Sequence, residues 1–379
     1  MEARRRRAVR RRRLAVAGAA AVAFLVGAIV GRDDPPQAQR VVASPTPTPV
    51  SVESGGAADR PATPLSRQVG RLIVLRFHGT RVPAHVRRAL RAGRASGAIL
   101  FHDNVSSAAQ LRALTGDLRR AGGPGTLVAV DQEGGPIRIV DWAPPVDAAP
   151  AQGARAGAEA RAGATALRRL GINVSLAPVA DVPSVPGSVI AGRALGTTPP
   201  AVATAVAAAV RGWRAGRVAS AVKHFPGLGG ARVNTDFGSV SIRRSRAALE
   251  ADLAPFRAAV SAGAPLVMLS HAVYPALDAD HIASQSRAIA TDLLRTGLRF
   301  RGVAITDSLE ADAARATGHV DQAAEASLRA GVDLLLTTGQ GSAIRVYRRL
   351  LAVGRRDARF RVRVREAGVR VERLRHAVG

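Results

Sequence analysis

The 379-residue chain contains no cysteine, a single lysine and very few aromatic side chains. The absence of cysteine excludes disulfide bonds, thiol catalysis and lipid attachment through cysteine. Aromatic residues make up only 3% of the chain, so alanine, valine and leucine must form most of the core, for which 47% hydrophobic content is ample. Because every other long cationic side chain is arginine, Lys223 suggests a position that needs a compact ammonium group.

Several motifs of known chemistry are also missing from the sequence. No His-Glu-x-x-His or other histidine pair with ligand spacing occurs, so no metal site is predicted. No Gly-x-Ser-x-Gly turn supports a serine triad. No glycine-rich strand–turn–helix fingerprint supports a nucleotide site. We therefore predict chemistry that needs no cofactor.

The formal net charge of +27 is of a size often seen in nucleic-acid-binding proteins. The arginines, however, are spread through nearly every predicted helix, and no nucleic-acid-binding motif stands out. We therefore predict no specific nucleic-acid partner.

The first 64 residues predict two segments ahead of any folded domain. Arg4–Arg13 is almost entirely arginine, and an uncharged run from Leu14 to Gly31 follows. This pattern is typical of a secretory leader or of a membrane anchor whose basic end stays in the cytoplasm. Because no convincing cleavage site follows, we favour an uncleaved hydrophobic helix in residues 1–31. Residues 32–64, rich in proline, serine and threonine, predict a disordered linker. We expect an exported protein, membrane-anchored outside the cytoplasm or secreted.

From residue 65 onward, apolar runs alternate with amphipathic segments such as Arg246–Ala262 and Ala288–Gly297. Eight of the runs predict strands: Leu72–Phe77, Gly97–Phe101, Leu127–Val130, Val174–Ala177, Ala219–Val222, Leu266–Ser270, Gly302–Thr306 and Asp333–Thr337. A predicted helix after each strand gives the count of a (β/α)₈ or TIM barrel. We predict this α/β fold as a single catalytic domain over residues 65–379. A doubly wound open sheet is the alternative, but it usually has fewer strands.

Charged or titratable residues follow four of the predicted strands directly. They are Asp131, the pair Lys223-His224, His271 and Asp307. A barrel enzyme carries its chemistry at the carboxyl ends of its strands, so these residues are expected at one rim. The fourth strand leads to Asp181, which is equally well interpreted as a turn or cap residue, and then to a loop with Arg193. Such a set suits a neutral, hydroxyl-rich ligand, and two carboxylates could act on a glycosidic bond.

At these residues the chain resembles glycoside hydrolase family 3, and within it the single-domain bacterial β-N-acetylhexosaminidases. The resemblance covers about residues 67 to 341. Its markers, in order, are Val69–Leu72, Gly97–Phe101, Asp131–Gly135, Leu176–Val182, Gly192–Gly196, Lys223–Gly227, Met268–His271 and Ile305–Leu309.

The resemblance implies removal of a terminal β-linked N-acetylglucosamine, or a related β-sugar, from cell-wall or other glycans with retention of configuration. It implies that Asp307 is the nucleophile. It also implies that Asp131, Arg193, Lys223 and His224 hold sugar hydroxyl groups, and we add His271 to this substrate-binding set. We expect a monomer with a carbohydrate substrate, no cofactor and a membrane contact through its N-terminal anchor.

The sequence departs from the family pattern where the general acid/base is expected. Leu228 replaces the first histidine after the Lys-His-Phe-Pro-Gly run. The loop beyond it reads Asn234-Thr235-Asp236, with Asp236 at the position of the acid/base histidine. Arg138 is displaced by two positions, because Pro136 follows Gly134-Gly135. In one interpretation Asp236 takes over proton transfer. In the alternative, the barrel is a degenerate, non-catalytic glycan-binding module.

Overall fold

Eight parallel strands form a barrel at the centre of the computed structural model, which describes residues 63–379. Two antiparallel hairpins, the fourth with the fifth strand and the ninth with the tenth, lie outside the barrel. In chain order the strands are β1 (Ile73–Arg76), β2 (Gly97–Ile99), β3 (Leu127–Val130), β4 (Gln132–Gly134), β5 (Ile137–Arg138), β6 (Val174–Ser175), β7 (Ala219–Phe225), β8 (Leu266–Leu269), β9 (Val273–Tyr274), β10 (Asp278–Ile282), β11 (Val303–Thr306) and β12 (Leu335–Leu336).

Each barrel strand lies beside the next barrel strand of the chain, which confirms the predicted (β/α)₈ fold. β12 pairs in parallel with β1, and a parallel bridge between Ile305 and Leu334 joins β11 to the last strand. Residues 63–379 belong to one compact unit. The predicted anchor of residues 1–31 and nearly all of the predicted linker lie outside the described residues. Within residues 63–379, no helix is both long and apolar enough to span a bilayer.

Helices follow the strands and cover the barrel. They are α1 (Leu65–Gly70), α2 (Ala84–Arg91), α3 (Ala108–Gly122), α4 (Ala149–Gln152), α5 (Ala156–Arg169), α6 (Pro199–Ala215), α7 (Arg246–Asp252), α8 (Ala254–Ser261), α9 (Asp312–Arg315), α10 (Val320–Ala330), α11 (Ser342–Arg356) and α12 (Ala358–Val378). Their sequences are amphipathic. In α2, for example, Val86 and Leu90 are buried one turn apart while Arg88 and Arg91 are exposed.

Three elements differ from the sequence prediction. β7 continues through Phe225, so Lys223 and His224 lie within the strand and not after it. The predicted helix Arg246–Ala262 is two helices, because Pro255 has no N–H to continue the hydrogen-bond ladder of α7 and stands in the first turn of α8. The segment Ala288–Gly297 forms a π-helix.

The last helix, α12, crosses the amino end of the barrel, opposite the carboxyl ends of the strands. Near its start, Arg363 donates to the Val332 carbonyl (2.7 Å), which lies just before β12. Near its end, Arg375 donates to the Gly125 carbonyl (3.0 Å), which precedes β3. Its buried face, including Phe360 and Val371, belongs to the same apolar cluster as residues of the barrel strands. α12 therefore closes this end of the barrel.

A buried carboxylate fixes α12 to the barrel. Asp333, fully buried before β12, is contacted by Arg295, by Arg363 (2.6 Å) and by Arg370 (3.1 Å). It also accepts a hydrogen bond from the Ala304 N–H (3.0 Å). Because Arg363 and Arg370 both belong to α12, this one carboxylate ties the C-terminal helix to β11 and β12.

We predict that Asp333→Asn destabilises the protein by about 3–5 kcal/mol, because it leaves partly buried guanidinium groups without a counter-charge. Urea unfolding at neutral pH measures the loss. Asp117→Asn is the matched control, because Asp117 pairs only with the exposed Arg120 and should cost less than about 1 kcal/mol. Equal losses for the two variants would contradict the role given to Asp333.

Candidate functional site

A cavity of about 220 Å³ opens at the carboxyl ends of the strands. Its wall combines a few apolar side chains at the base with a ring of charged and polar groups. The principal lining residues are Phe101, Asp131, Glu133, Ile137, Arg193, Lys223, His224, Leu228, Asn234, Thr235, Asp236, Met268, Asp307, Ser308 and Thr338. The cavity lies at the rim where the sequence analysis expected Asp131, Lys223, His224 and Asp307.

Lys223 lies at the centre of a charge network in this cavity. Its Nζ is 2.6 Å from Asp131 Oδ1 and 2.7 Å from Glu133 Oε1. Arg193 donates to both carboxylate oxygens of Glu133, from Nε (2.9 Å) and from a terminal nitrogen (2.7 Å). The Lys223 and Glu133 side chains are only 3% exposed, whereas those of Asp131 and Arg193 are about 20% exposed. Asp131 and Arg193 therefore present more surface to the cavity, whereas Glu133 is nearly buried and pairs with Lys223 and Arg193.

The pairing determines the charge states of this network. Burial alone would raise the pKa of Glu133, but the charges and hydrogen bonds of Lys223 and Arg193 lower it to about 2. Burial opposes the charge on Lys223, yet Asp131 and Glu133 raise its pKa above the ordinary lysine value. The pKa of Arg193 is raised by Glu133 in the same way, against the effect of burial. All three groups are therefore ionised at neutral pH.

The β4–β5 hairpin positions the two acids. Asp131 and Glu133 are two residues apart along extended chain, so their side chains lie on the same side. The turn that follows uses Gly134 and Gly135, both with positive φ (107° and 57°). A side chain at Gly134 would also meet the Asp147 carbonyl oxygen at 2.2 Å. The glycines after Glu133 are therefore required by the turn.

Asp181 orients His224 in the same cavity. The carboxylate is fully buried and lies 2.7 Å from His224 Nδ1. It also accepts backbone hydrogen bonds from His224 (3.2 Å) and Leu228 (2.6 Å). With Nδ1 occupied, Nε2 is directed at the Asp307 carboxylate, 3.9 Å away. Asp181 is thus the buried partner of a histidine that lines the cavity. The sequence alone was equally consistent with a turn or cap residue.

Asp307 follows β11 directly, and its side chain is 21% exposed to the cavity. Its Oδ1 accepts the Ser308 N–H at 2.8 Å. Burial would raise the pKa of this carboxyl, but the charges of His224, His271 and Lys223 and the Ser308 hydrogen bond together lower it. Asp307 is therefore held as a carboxylate with free oxygen surface in the cavity.

His271 is brought close to Asp307 but does not line the cavity. It is fully buried, with Nδ1 2.8 Å from the Ser284 hydroxyl and Nε2 2.9 Å from the Ser308 carbonyl oxygen. Burial lowers the pKa of its imidazole, although Asp307 acts in the opposite direction. The contact with the Ser308 carbonyl fixes the chain immediately after Asp307.

The loop of residues 234–237 forms the mouth of the cavity. Asp236 accepts from the Asn234 side-chain amide at 3.1 Å, and its own N–H donates to Asn234 Oδ1 at 3.0 Å. The loop is joined to the segment after β11, because Ala313 N–H donates to the Thr235 carbonyl (3.1 Å). Desolvation and the nearby Asp307 charge raise the pKa of Asp236, against the effect of the Asn234 hydrogen bond.

The structure thus brings six of the residues singled out from sequence to one cavity wall: Asp131, Arg193, Lys223, His224, Asp236 and Asp307. His271 lies behind that wall. Sequence reasoning missed Glu133, although its place two residues after Asp131 in an extended strand was a usable signal. Within residues 63–379 no group of three histidine or acidic side chains has the arrangement of a metal site.

Comparison with known proteins connects this cavity to a family. The model of the family described as glycosyl hydrolase family 3 N-terminal domain matches residues 65–374. An uncharacterized secreted glycosyl hydrolase from Arthroderma benhamiae is 36% identical over 311 residues, which is 76% of this chain and 87% of that protein. A β-hexosaminidase from Stenotrophomonas maltophilia is 34% identical over 278 residues, which is 70% of this chain and 82% of that protein.

A solved structure gives the same result at the level of the fold. The glycoside hydrolase family 3 β-N-acetylglucosaminidase from a Paenibacillus species superposes with a TM-score of 0.78 at 30% sequence identity. The match covers 84% of this chain and 64% of the Paenibacillus chain, so this chain spans less than two thirds of that protein.

The ionised Glu133 predicts an acid-sensitive fold. Its pKa, about 2 in the folded protein against an ordinary 4.5, means that it stabilises the fold above pH 4.5 by about 3 kcal/mol. That contribution should be lost as the pH falls from 4.5 towards 2. Urea unfolding between pH 7 and pH 3 should show a flatter pH dependence for Glu133→Gln than for the parent. The exposed Glu366→Gln should keep the parent slope, and equal slopes for all three proteins would contradict the assignment.

Proposed function

The chain belongs to glycosyl hydrolase family 3, and from this membership and the cavity geometry we propose that it removes a terminal β-linked N-acetylglucosamine from glycans by a retaining mechanism. The chain is a glycosidase. The observation that carries the mechanistic proposal is the environment of Asp307, whose pKa is lowered by neighbouring basic side chains while one face stays open to a sugar-sized cavity. The names of the β-hexosaminidase and β-N-acetylglucosaminidase relatives support the choice of sugar.

In this proposal Asp307 attacks the anomeric carbon and forms a glycosyl-enzyme intermediate that water then hydrolyses. A nucleophilic carboxylate must be ionised, and the lowered pKa of Asp307 provides that state. Its Ser308 hydrogen bond occupies Oδ1, which leaves Oδ2, on the His224 side, free for the sugar.

Asp131, Arg193, Lys223 and His224 are proposed to hold the sugar hydroxyl groups. Asp131 and Arg193 are the members of the charge network with exposed surface in the cavity. Lys223 uses two of its three ammonium protons on Asp131 and Glu133, so one donor remains for a hydroxyl. Charged partners make the strong hydrogen bonds that a neutral sugar needs for orientation. We assign His271 an indirect part, because it contacts the Ser308 backbone and not the cavity.

We propose Asp236 as the general acid/base. A proton donor to the leaving group needs a pKa near the working pH, and the pKa of Asp236 is raised where that of Asp307 is lowered. Two carboxyls with opposed pKa shifts at one cavity are the arrangement that divides nucleophile from acid. Nothing in the comparisons favours the non-catalytic alternative.

We further propose that the enzyme acts outside the cytoplasm. The secreted relative from Arthroderma benhamiae and the basic and apolar N-terminal segments support export. The apolar run from Leu14 to Gly31 would then serve as leader or anchor, residues 32–64 as linker and residues 65–379 as the catalytic barrel. Cell-wall glycans are substrates that such a location would offer.

Asp307→Asn should abolish hydrolysis of 4-nitrophenyl N-acetyl-β-D-glucosaminide, because an amide cannot form the glycosyl-enzyme bond. Release of nitrophenol measures activity, and titration calorimetry with N-acetylglucosamine should show that binding persists. Asp103→Asn, a rim carboxylate paired with His78 and outside the cavity lining, serves as the control. A parent protein that turns over neither this glycoside nor its glucoside analogue would overturn the proposed function.

Asp236→Asn should slow hydrolysis of natural β-linked disaccharides by about 10²- to 10⁴-fold, because the leaving oxygen receives no proton. A dinitrophenyl glycoside, whose leaving group needs no proton, should lose much less. The parent kcat/KM should fall at low pH as Asp307 is protonated and at higher pH as Asp236 is deprotonated, and the variant should lack the high-pH fall. Asp312→Asn on the adjoining segment is the control. Equal losses on both substrates would exclude Asp236 as the acid.

A further inference from the structure

The two ends of the barrel differ in how their exposed charges are mixed. The carboxyl end carries both signs: exposed carboxylates such as Asp141 and Asp312 share its loops with exposed arginines such as Arg81 and Arg232. The loops that lead into the strands at the amino end carry exposed arginines instead: Arg94, Arg217, Arg299 and Arg301. The acidic side chain in these loops, Asp333, is fully buried beneath its own arginines. The amino end is therefore an exposed cationic surface.

Helix α12 extends this surface across the end of the barrel. Its outward stripe follows helical spacing and consists of Arg359, Val362, Glu366, Val369 and Arg373, with Arg365 beside it. Among the described residues, no carboxylate lies within salt-bridge distance of Arg359, Arg365 or Arg373. Val362 and Val369 are 44% and 51% exposed. We call this stripe together with the four loop arginines the amino-end face.

Two of the loop arginines occupy backbone positions that suit glycine better. Arg217 and Arg299 have φ values of 62° and 55°, the left-handed region in which non-glycine residues are uncommon. Each lies two residues beyond the last residue of a helix, in the loop that leads to a barrel strand, where glycine is common. Cationic side chains are thus present on this face despite an unfavourable backbone conformation.

The N-terminal end of the described residues also lies at this face. Thr63 precedes α1, whose following residue Arg71 contacts Glu372 of α12 (Nε–Oε2 3.4 Å). Leu65 of α1 lies against Gly354 near the end of α11. The 62 residues before Thr63, with the predicted anchor in Leu14–Gly31, therefore connect to the amino end. A domain tethered from this side has its cavity at the far end.

We propose that the amino-end face docks on the surface of a bilayer rich in anionic lipid, so that the catalytic cavity points away from the membrane. Clustered arginines beside a membrane attachment are drawn to anionic headgroups within about a Debye length. The two exposed valines fit the headgroup boundary between the arginines. The bilayer is favoured over a soluble polyanion because the chain reaches the domain on this same side.

The absence of cysteine allows a direct test with the full chain reconstituted in vesicles. Val369→Cys on the amino-end face and Gln340→Cys at the carboxyl end are labelled separately with one fluorophore, and quenching by a headgroup spin-labelled lipid is measured. In vesicles with about 30 mol% phosphatidylglycerol, the label at position 369 should be quenched and the label at position 340 should not. Pure phosphatidylcholine, or salt of about 0.5 M, should remove the quenching.

Replacing Arg359, Arg365 and Arg373 together by Gln should lower the ratio of docked to undocked protein on the order of 100-fold, since each arginine near an anionic surface contributes about five-fold. Replacing Arg112, Arg161 and Arg246, which are exposed on the flanking helices, gives the same change of net charge and should leave the quenching intact. Unchanged melting temperature and nitrophenol release show that both triple variants are folded.

Four results would overturn the proposal. One is equal quenching at positions 340 and 369, and another is equal quenching on phosphatidylcholine and on phosphatidylglycerol vesicles. The third is a label at position 369 that is not quenched on vesicles but whose anisotropy rises when soluble polyphosphate is added. That result would make an anionic polymer the ligand of this face. A full chain that associates with neither vesicle also contradicts docking.

Discussion

The site depends on the neutralisation of buried charge around Lys223. A buried ammonium is tolerated only with counter-charges at contact distance, and Lys223 has two, Asp131 and Glu133. Glu133 is in turn shared with Arg193, which reaches it from the loop after β6. The network thereby joins β3, β7 and that loop into one rigid wall. A guanidinium at position 223 would be larger and planar, which explains the only lysine in an arginine-rich chain.

At the amino end of the barrel a buried charge is also neutralised by close counter-charges, and there the pairing stabilises the fold. There a buried carboxylate, Asp333, is surrounded by arginines, two of them from α12. Both networks pair buried ions from elements distant in sequence. They differ in access to solvent: the Lys223 network leaves Asp131 and Arg193 partly exposed to a cavity, whereas Asp333 has no exposed surface. A ligand can reach the first network and not the second.

Much of the fold could be predicted because its signals are local. Leu127–Val130 is uniformly apolar and ends in an acid, so its bounds and the position of Asp131 agree with the structure. The end of β7 was harder to predict, because the strand continues through Lys223 and His224, where the sequence is no longer apolar. Glu133 and Asp181 were not singled out as site residues, because their roles depend on partners 60 and 43 positions away in the chain. Such pairings follow from the closed barrel and not from neighbouring residues.

The position of α12 has a consequence for biosynthesis. This helix closes the amino end of the barrel, although it follows every barrel strand in the chain. While α12 is still in the ribosome exit tunnel, Asp333 lacks two of its arginines and the lower barrel core lacks one wall. Domains usually fold as whole units during synthesis, so we expect this barrel to be completed only after α12 has left the tunnel. Until then the nascent barrel lacks both its C-terminal wall and the two ion pairs that α12 makes with Asp333.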